Sequence, residues 1–154
     1  MDTNQSEVMR KMRQVVFQED FTKGDMIHTA TPNISPRTGY RKQGGTLIHI
    51  NKKWASIGIE KHKDKYGRWC SVTLTGDKNR KITVINAYRV GNNTIEKAGG
   101  STVWFQEYTL LLENGLKNPD PQQQILDDME QYINDIKEDP DHEFVIFIDA
   151  NEST

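Results

Sequence analysis

The most constraining feature of this 154-residue chain is an apolar run, Glu143-Phe-Val-Ile-Phe-Ile148, that leads directly into Asp149-Ala150-Asn151. Five consecutive apolar residues are typical of a strand covered on both faces, in the middle of a layered domain. A carboxylate and a carboxamide two residues apart point the same way if the strand continues. The pattern predicts that both project from the carboxyl end of a buried strand, where they could orient a water molecule and bind a hard cation. The alternative is an Asx turn that ends the strand.

Composition indicates one soluble domain with a thin core. Hydrophobic residues make up 34% of the chain, against a usual share of about 45%. No apolar run approaches the ~20 residues of a membrane span, and residues 1–6 do not resemble a signal peptide, so we expect no membrane partner and an intracellular, cytoplasmic or nuclear location. Cys70 is alone, which excludes an internal disulfide and a cysteine-based zinc site and leaves no reason to expect a disulfide-linked partner.

The charge is divided along the chain. Residues 1–100 hold 18 Lys and Arg against 9 Asp and Glu, whereas residues 101–154 hold 2 against 13. This division fits a polyanion-binding face beside a cation-binding centre. It fits equally well a solvated basic loop together with the solvated face of an acidic helix.

Periodicity predicts a mixed layered domain. Residues 6–17 have the spacing of an amphipathic helix, and residues 26–30 of a short strand. Four further strands are predicted at residues 46–50, 55–60, 68–75 and 81–88, the last two as a hairpin, with an exposed basic connection at residues 61–67. Helices capped by Ser101 or Thr102 and by Asp120 follow, and then the apolar strand. The fold class is therefore α/β, or α+β, with helices packed on a mixed sheet.

Five short motifs in a fixed order resemble those of the endonuclease/exonuclease/phosphatase superfamily, which has the DNase I-like fold. The resemblance covers roughly residues 40–154 and is closest to the divergent, retroelement-associated members. The motifs are Gly44-Gly45-Thr46, Gly67-Arg68-Trp69, Val84-Ile-Asn-Ala-Tyr88-Arg89, a helix containing Gln106-Glu107, and Ile148-Asp-Ala-Asn-Glu152.

The resemblance implies part of a sandwich of two mixed sheets flanked by helices, with phosphoester hydrolysis that requires Mg²⁺ or Mn²⁺. In the family pattern Asp149 matches the carboxylate that positions and deprotonates the attacking water, and Asn151 matches the amide beside it. Tyr88 matches a tyrosine that reaches the phosphate. Phe17-Gln18-Glu19 looks like the family's Gln-Glu motif, so Glu19 joins Asp149 and Asn151 as a candidate metal ligand. The alternative, a residue at the end of the predicted helix, is favoured by its position directly after residues 6–17.

The chain also departs from the family pattern. The family has an Asp-His pair after the Asp-x-Asn strand, but here the adjacent pair, Asp141-His142, precedes that strand. We therefore expect residues 1–154 to be a single, incomplete domain with weak or no turnover, because catalytic groups act as a unit.

Three functions stay open. The first is a nuclease that cleaves phosphodiester bonds. The second is a non-catalytic nucleic-acid-binding or assembly module that uses the basic loops, and the third is a phosphatase of a small phosphorylated substrate. The oligomeric state is open as well. The basic loops are Arg41-Lys42, Lys52-Lys53 and residues 61–68, with Trp54, Tyr66 and Trp69 nearby.

Overall fold

The computed structural model of the chain describes residues 24–32, 44–55, 58–137 and 141–151, and these form a mixed α/β arrangement. Within them, the strands are β1 (Asp25–Thr29), β2 (Thr46–Ile50), β3 (Gly58–Lys63), β4 (Trp69–Thr75), β5 (Lys81–Tyr88) and β6 (His142–Asp149). The helices are α1 (Lys52–Ala55), α2 (Val103–Glu113) and α3 (Pro121–Ile136). The predicted helix at residues 6–17, Glu19 and the basic pair Arg41-Lys42 lie outside the described residues.

The strands form two sheets. β1 and β2 are an antiparallel pair, and the larger sheet has the order β3-β4-β5-β6. β4 and β5 form the predicted antiparallel hairpin, joined by a tight turn that includes a 3-10 helix at Asp77–Asn79. β6 pairs in parallel with β5, so the carboxyl ends of these two strands meet at one edge of the structure.

The larger sheet is covered on both faces over its middle strands. The predicted alternation of β4 directs Trp69 toward α3, where it packs with Ile125 and Met129. Cys70 and Val72 point the other way and pack against the β1–β2 sheet. Two apolar clusters therefore hold the four-stranded sheet between a helix and a second sheet.

The two longer helices begin where the sequence predicts. The Thr102 side chain accepts a hydrogen bond from Phe105 N, and Asp120 accepts from Gln122 N and Gln123 N ahead of Pro121. Across the described part of the chain, no helix combines the length and apolarity needed to cross a membrane.

The predicted strand at residues 55–60 is wrong in its bounds. Residues 52–55 form a helical turn that begins with Asn51 Oδ1 accepting from Lys53 N at 3.1 Å, and β3 starts only at Gly58. β3 also extends through Lys63, so the first three residues of the predicted connection at residues 61–67 are strand. The side-chain cap of Asn51 explains the difference, because it favours a turn over an extended backbone.

β6 has the predicted position but not the predicted burial. The sequence pattern indicates a strand covered on both faces, whereas Val145, Ile146, Phe147 and Ile148 are all exposed. β6 lies at the edge of the sheet, and neither of the two apolar clusters includes one of its residues. The apolar run predicts burial on both faces, but the described residues leave these four side chains exposed.

His142 fixes the start of β6. Its buried ring contacts Thr83 Oγ1 through Nε2 at 2.8 Å and the Ile136 carbonyl oxygen through Nδ1 at 3.0 Å. Thr83 Oγ1 in turn bonds Thr73 Oγ1 at 2.6 Å. The histidine of the Asp141-His142 pair is thus a structural residue that joins β4, β5, β6 and the end of α3.

Candidate active site

The candidate active site is a cleft at the carboxyl ends of β5 and β6. Tyr88 and Asp149 are paired residues of these parallel strands, so their side chains lie on the same face of the sheet. Asn86 is on that face too, and its Nδ2 donates to the Leu47 carbonyl oxygen of β2 at 3.0 Å. Together with the start of β2, these residues line a cleft of about 400 Å³.

Asp149 presents an exposed carboxylate at the rim of this cleft. Its backbone carbonyl accepts a hydrogen bond from Arg89 N at 2.9 Å, which ties the end of β6 to β5. The side chain is therefore held by a fixed backbone and reaches solvent. A carboxylate in this setting can accept a proton from a water molecule or bind a hard cation.

Tyr88 is a hydrogen-bond donor beside that carboxylate. Burial raises the pKa of its hydroxyl above the usual value, and the negative charges of Asp149 and Glu107 raise it further. The phenol therefore stays protonated at neutral pH. Its ring lies against Gly44, where an added Cβ would be 3.4 Å from Tyr88 Cδ1, and the φ of +66° at Gly44 also favours glycine.

Asn151 takes a different position from the one the sequence predicts. The strand ends at Asp149, and Asn151 has a left-handed backbone with a φ of 45°. Its Nδ2 donates to the Arg89 carbonyl oxygen at 2.8 Å. The amide therefore ties the segment after β6 to the end of β5, and the premise that the strand continues through Asn151 is wrong.

The described residues give a metal ion few ligands. They contain no group of three or more His, Cys, Asp or Glu side chains able to hold one. Among the described residues that line the cleft, Asp149 is the one with a carboxylate. Glu19 lies outside the described part of the chain. Mg²⁺ in proteins often uses one or two carboxylates and takes its remaining ligands from water and substrate phosphate, so Asp149 fits a weak site and not an all-protein cage.

Two polar residues near the cleft were given no role in the sequence analysis. Asn86 could have been found from the alternation of β5, which places it with Tyr88. Glu107 is buried in α2, and its Oε1 accepts a hydrogen bond from Thr31 Oγ1 at 3.3 Å. The burial of Glu107 could have been predicted from its spacing from Trp104 and Leu111, which are also buried. Residues three and four positions apart lie on the same face of a helix.

The basic surface is smaller than the sequence suggests. Lys61, Lys63 and Lys65 are exposed along β3 and the turn after it. Arg68, in contrast, is buried, and its guanidinium donates to both Asp64 carboxylate oxygens, at 2.7 and 3.0 Å, and to Asp128 Oδ2 at 2.5 Å.

The aromatic residues of that region are mostly structural. Tyr66 is buried beneath Arg68 and Lys65, and Trp69 is buried against His62 and Tyr132. Neither can stack on a nucleic-acid base in this structure. Of the three aromatic residues expected at a strand-binding surface, Trp54 is the exposed one.

Comparison with known proteins does not assign the chain to a family. No protein-family model, curated protein or solved structure matches the chain.

Proposed function

We propose that the cleft at the carboxyl ends of β5 and β6 is a metal-dependent phosphoester-hydrolysing site of the nuclease type. The observation that carries the proposal is the placement of Asp149 beside Tyr88, on one face, at the carboxyl ends of two parallel strands. Asp149 can orient a water molecule and take its proton, and the neutral Tyr88 hydroxyl can donate to a phosphate oxygen. We further propose that the two packed sheets are part of a DNase I-like sandwich.

A divalent cation, when bound, would neutralise charge on the phosphate. Asp149 would be its carboxylate ligand, and the side-chain oxygens of Asn151 and Asn86 would be amide candidates. With one carboxylate, binding should be weak, and we expect a Mg²⁺ dissociation constant in the millimolar range or above. Isothermal titration calorimetry should show that Asp149→Ala abolishes this binding, and micromolar binding that survives Asp149→Ala would place the metal elsewhere.

Turnover by residues 1–154 should be slow. Hydrolysis also needs a group that stabilises the leaving oxygen, and none of the described residues of the cleft is a cation or a histidine placed for that purpose. A chromogenic diester, bis(4-nitrophenyl) phosphate, and the monoester 4-nitrophenyl phosphate with Mn²⁺ would report both the residual rate and the preferred substrate class. We expect the diester to be preferred.

The decisive variant is Asp149→Asn, which keeps the shape of the side chain and removes its ability to accept a proton. It should lower the Mn²⁺-dependent rate of hydrolysis to the rate measured in buffer without protein. Glu143→Gln is the matched control, because Glu143 is an exposed carboxylate on the same face of the same strand, about 20 Å away at the usual rise of a strand. A rate that is unchanged in Asp149→Asn would contradict the proposal.

The exposed lysines favour a second candidate, sequence-independent nucleic-acid binding without catalysis. Lys61, Lys63 and Lys65 lie along one edge of the larger sheet and would contact phosphates rather than bases. Such binding needs neither Asp149 nor a metal ion. The two candidates therefore differ in where a nucleic acid contacts the chain.

A further inference from the structure

β6 combines an open backbone edge with apolar side chains exposed on both faces. Val145, Ile146, Phe147 and Ile148 are 37%, 43%, 58% and 38% exposed. By the register with β5, Val145 and Phe147 point to the side of the β1–β2 sheet, whereas Ile146 and Ile148 point to the side of α3. Among the described residues, β5 is the one strand that pairs with β6. Four adjacent apolar side chains exposed on two faces of one strand are unusual for a surface that stays in water.

The opposite edge of the same sheet is built differently. β3 carries Lys61 and Lys63, both exposed, and Lys61 forms an ion pair with Asp25. Lysine on an edge strand is a common device against pairing with other chains. β6 has no lysine and no proline between His142 and Asp149. One edge is therefore protected from further pairing and the other is not.

Within the described parts of the chain, the backbone of β6 leaves a defined set of groups unpaired. The Asp149 carbonyl points toward β5, because it accepts from Arg89 N. The N–H and C=O groups of one residue point to the same side of a strand, and the side alternates along the chain. Phe144, Ile146 and Ile148 therefore direct their N–H and C=O groups to the open edge, where a further strand would pair with them.

The charges around β6 determine which strand suits it. Residues 138–152 contain six Asp and Glu and no Lys or Arg. A second copy of the chain is a poor occupant. Two-fold antiparallel pairing of two β6 strands centred on Val145 places Asp141 opposite Asp149, and pairing centred on Ile146 places Glu143 opposite Asp149. Like charges directly opposite each other destabilise a sheet.

We infer that β6 is a docking strand for an extended protein segment that is apolar in its centre and carries lysine or arginine at its ends. The segment adds a strand to the open edge, its backbone pairs with Phe144, Ile146 and Ile148, and its apolar side chains cover those of β6. Its basic ends lie against Glu143 and Asp149. This mode of recognition takes affinity from the main chain and the apolar contacts and takes specificity from the flanking charges.

The test uses the full chain and a fluorescein-labelled peptide, Lys-Val-Thr-Val-Thr-Val-Lys. Fluorescence anisotropy should show saturable binding, weakened at least about tenfold when the two lysines are replaced by glutamate. A peptide with alternate backbone nitrogens methylated should not bind, because it lacks the donors for strand pairing. Ile146→Lys should abolish binding, whereas Leu112→Lys, at an apolar residue of α2 that is 41% exposed, should not change it.

Amide exchange measured by NMR locates the contact independently. Peptide binding should slow exchange at Ile146 and Ile148, whose N–H groups point outward, and leave Val145 and Phe147 unchanged, because they already pair with β5. Binding that is equal for lysine-flanked and glutamate-flanked peptides, or that persists in Ile146→Lys, would overturn the inference. It would also be overturned if the chain dimerised on its own in analytical ultracentrifugation and Ile146→Lys made it monomeric, because a second copy would then occupy the strand.

Discussion

At the scale of the residue, Glu107 shows what burial near the candidate active site does to a carboxyl group. The group is buried in α2 and is close enough to Tyr88 to affect the pKa of the tyrosine. Burial raises the pKa of Glu107 to about 8, although the positive charge of Arg68 opposes this. The side chain is therefore neutral in the folded chain at pH 7 and ionised in the unfolded chain.

We expect the free energy of unfolding to fall as the pH rises from about 4.5, the usual pKa of Glu107, to about 8, its pKa in the folded chain. Within this window the folded state binds the Glu107 proton and the unfolded state does not, so Glu107 should reduce stability by up to about 1.4 kcal/mol per pH unit. Below the window both states are protonated, and above it neither is, so the slope vanishes. Urea unfolding across the window, compared with Glu107→Gln, measures the effect.

The Gln variant keeps the shape of Glu107 and an oxygen that can accept from Thr31, and it has no proton to lose. Its stability should therefore lack the part of the pH slope that Glu107 contributes. If the wild-type and variant proteins had the same slope, Glu107 would not be a buried neutral carboxyl group.

At the scale of the element, Arg68 links the turn after β3 to helix α3. Its side chain is fully buried, and it bonds Asp64 in the turn and Asp128 on α3. Its backbone carbonyl accepts from Tyr88 N at 2.9 Å, so the same residue also helps to position the candidate site. The preceding Gly67 has a φ of +79°, and a Cβ there would lie 2.1 Å from the Ala30 carbonyl oxygen, so the backbone approaches too closely for any other residue.

Arg68→Met should destabilise the chain by about 3–5 kcal/mol, because it leaves the buried Asp64 carboxylate without its partner. Lys65→Met is the matched control. Lys65 is an exposed base in the same turn, and its loss should cost no more than about 0.5 kcal/mol. Urea denaturation of both variants checks the prediction, and a loss below about 1 kcal/mol for Arg68→Met would show that the ion pairs contribute little.

The elements that the sequence predicts best are those whose signal is local. The alternation of β4, the hairpin to β5 and the caps Thr102 and Asp120 are all read from adjacent residues, and the structure confirms them. The sequence also places Tyr88 and Asp149 at the ends of their strands, and both are the last residues of β5 and β6. What the sequence could not predict depends on distant neighbours. The exposure of β6 depends on its place at the sheet edge, and the burial of Arg68 depends on Asp128 sixty residues later.

At the scale of the whole molecule, the described residues separate the surfaces that the two candidate functions would use. The lysines lie at the β3 edge of the larger sheet, and the Tyr88–Asp149 cleft lies at the carboxyl ends of β5 and β6, on the other side of the sheet. The basic residues Lys61 and Lys63, from the first part of the sequence, and the acidic residue Asp149, from the second part, therefore lie on opposite edge strands of the larger sheet. Phosphates held by the lysines and phosphates held in the cleft would contact different residues.

The most direct test of the central claim is to locate a phosphodiester on the chain by NMR. A short single-stranded oligonucleotide with non-hydrolysable linkages is titrated into labelled protein with Mg²⁺ present. If the cleft is a phosphoester site, the largest shifts should fall on the amides of Asn86, Tyr88 and Asp149, and Asp149→Ala should remove them. Shifts confined to Lys61, Lys63 and Lys65, with or without Asp149, would contradict the account and leave binding without catalysis.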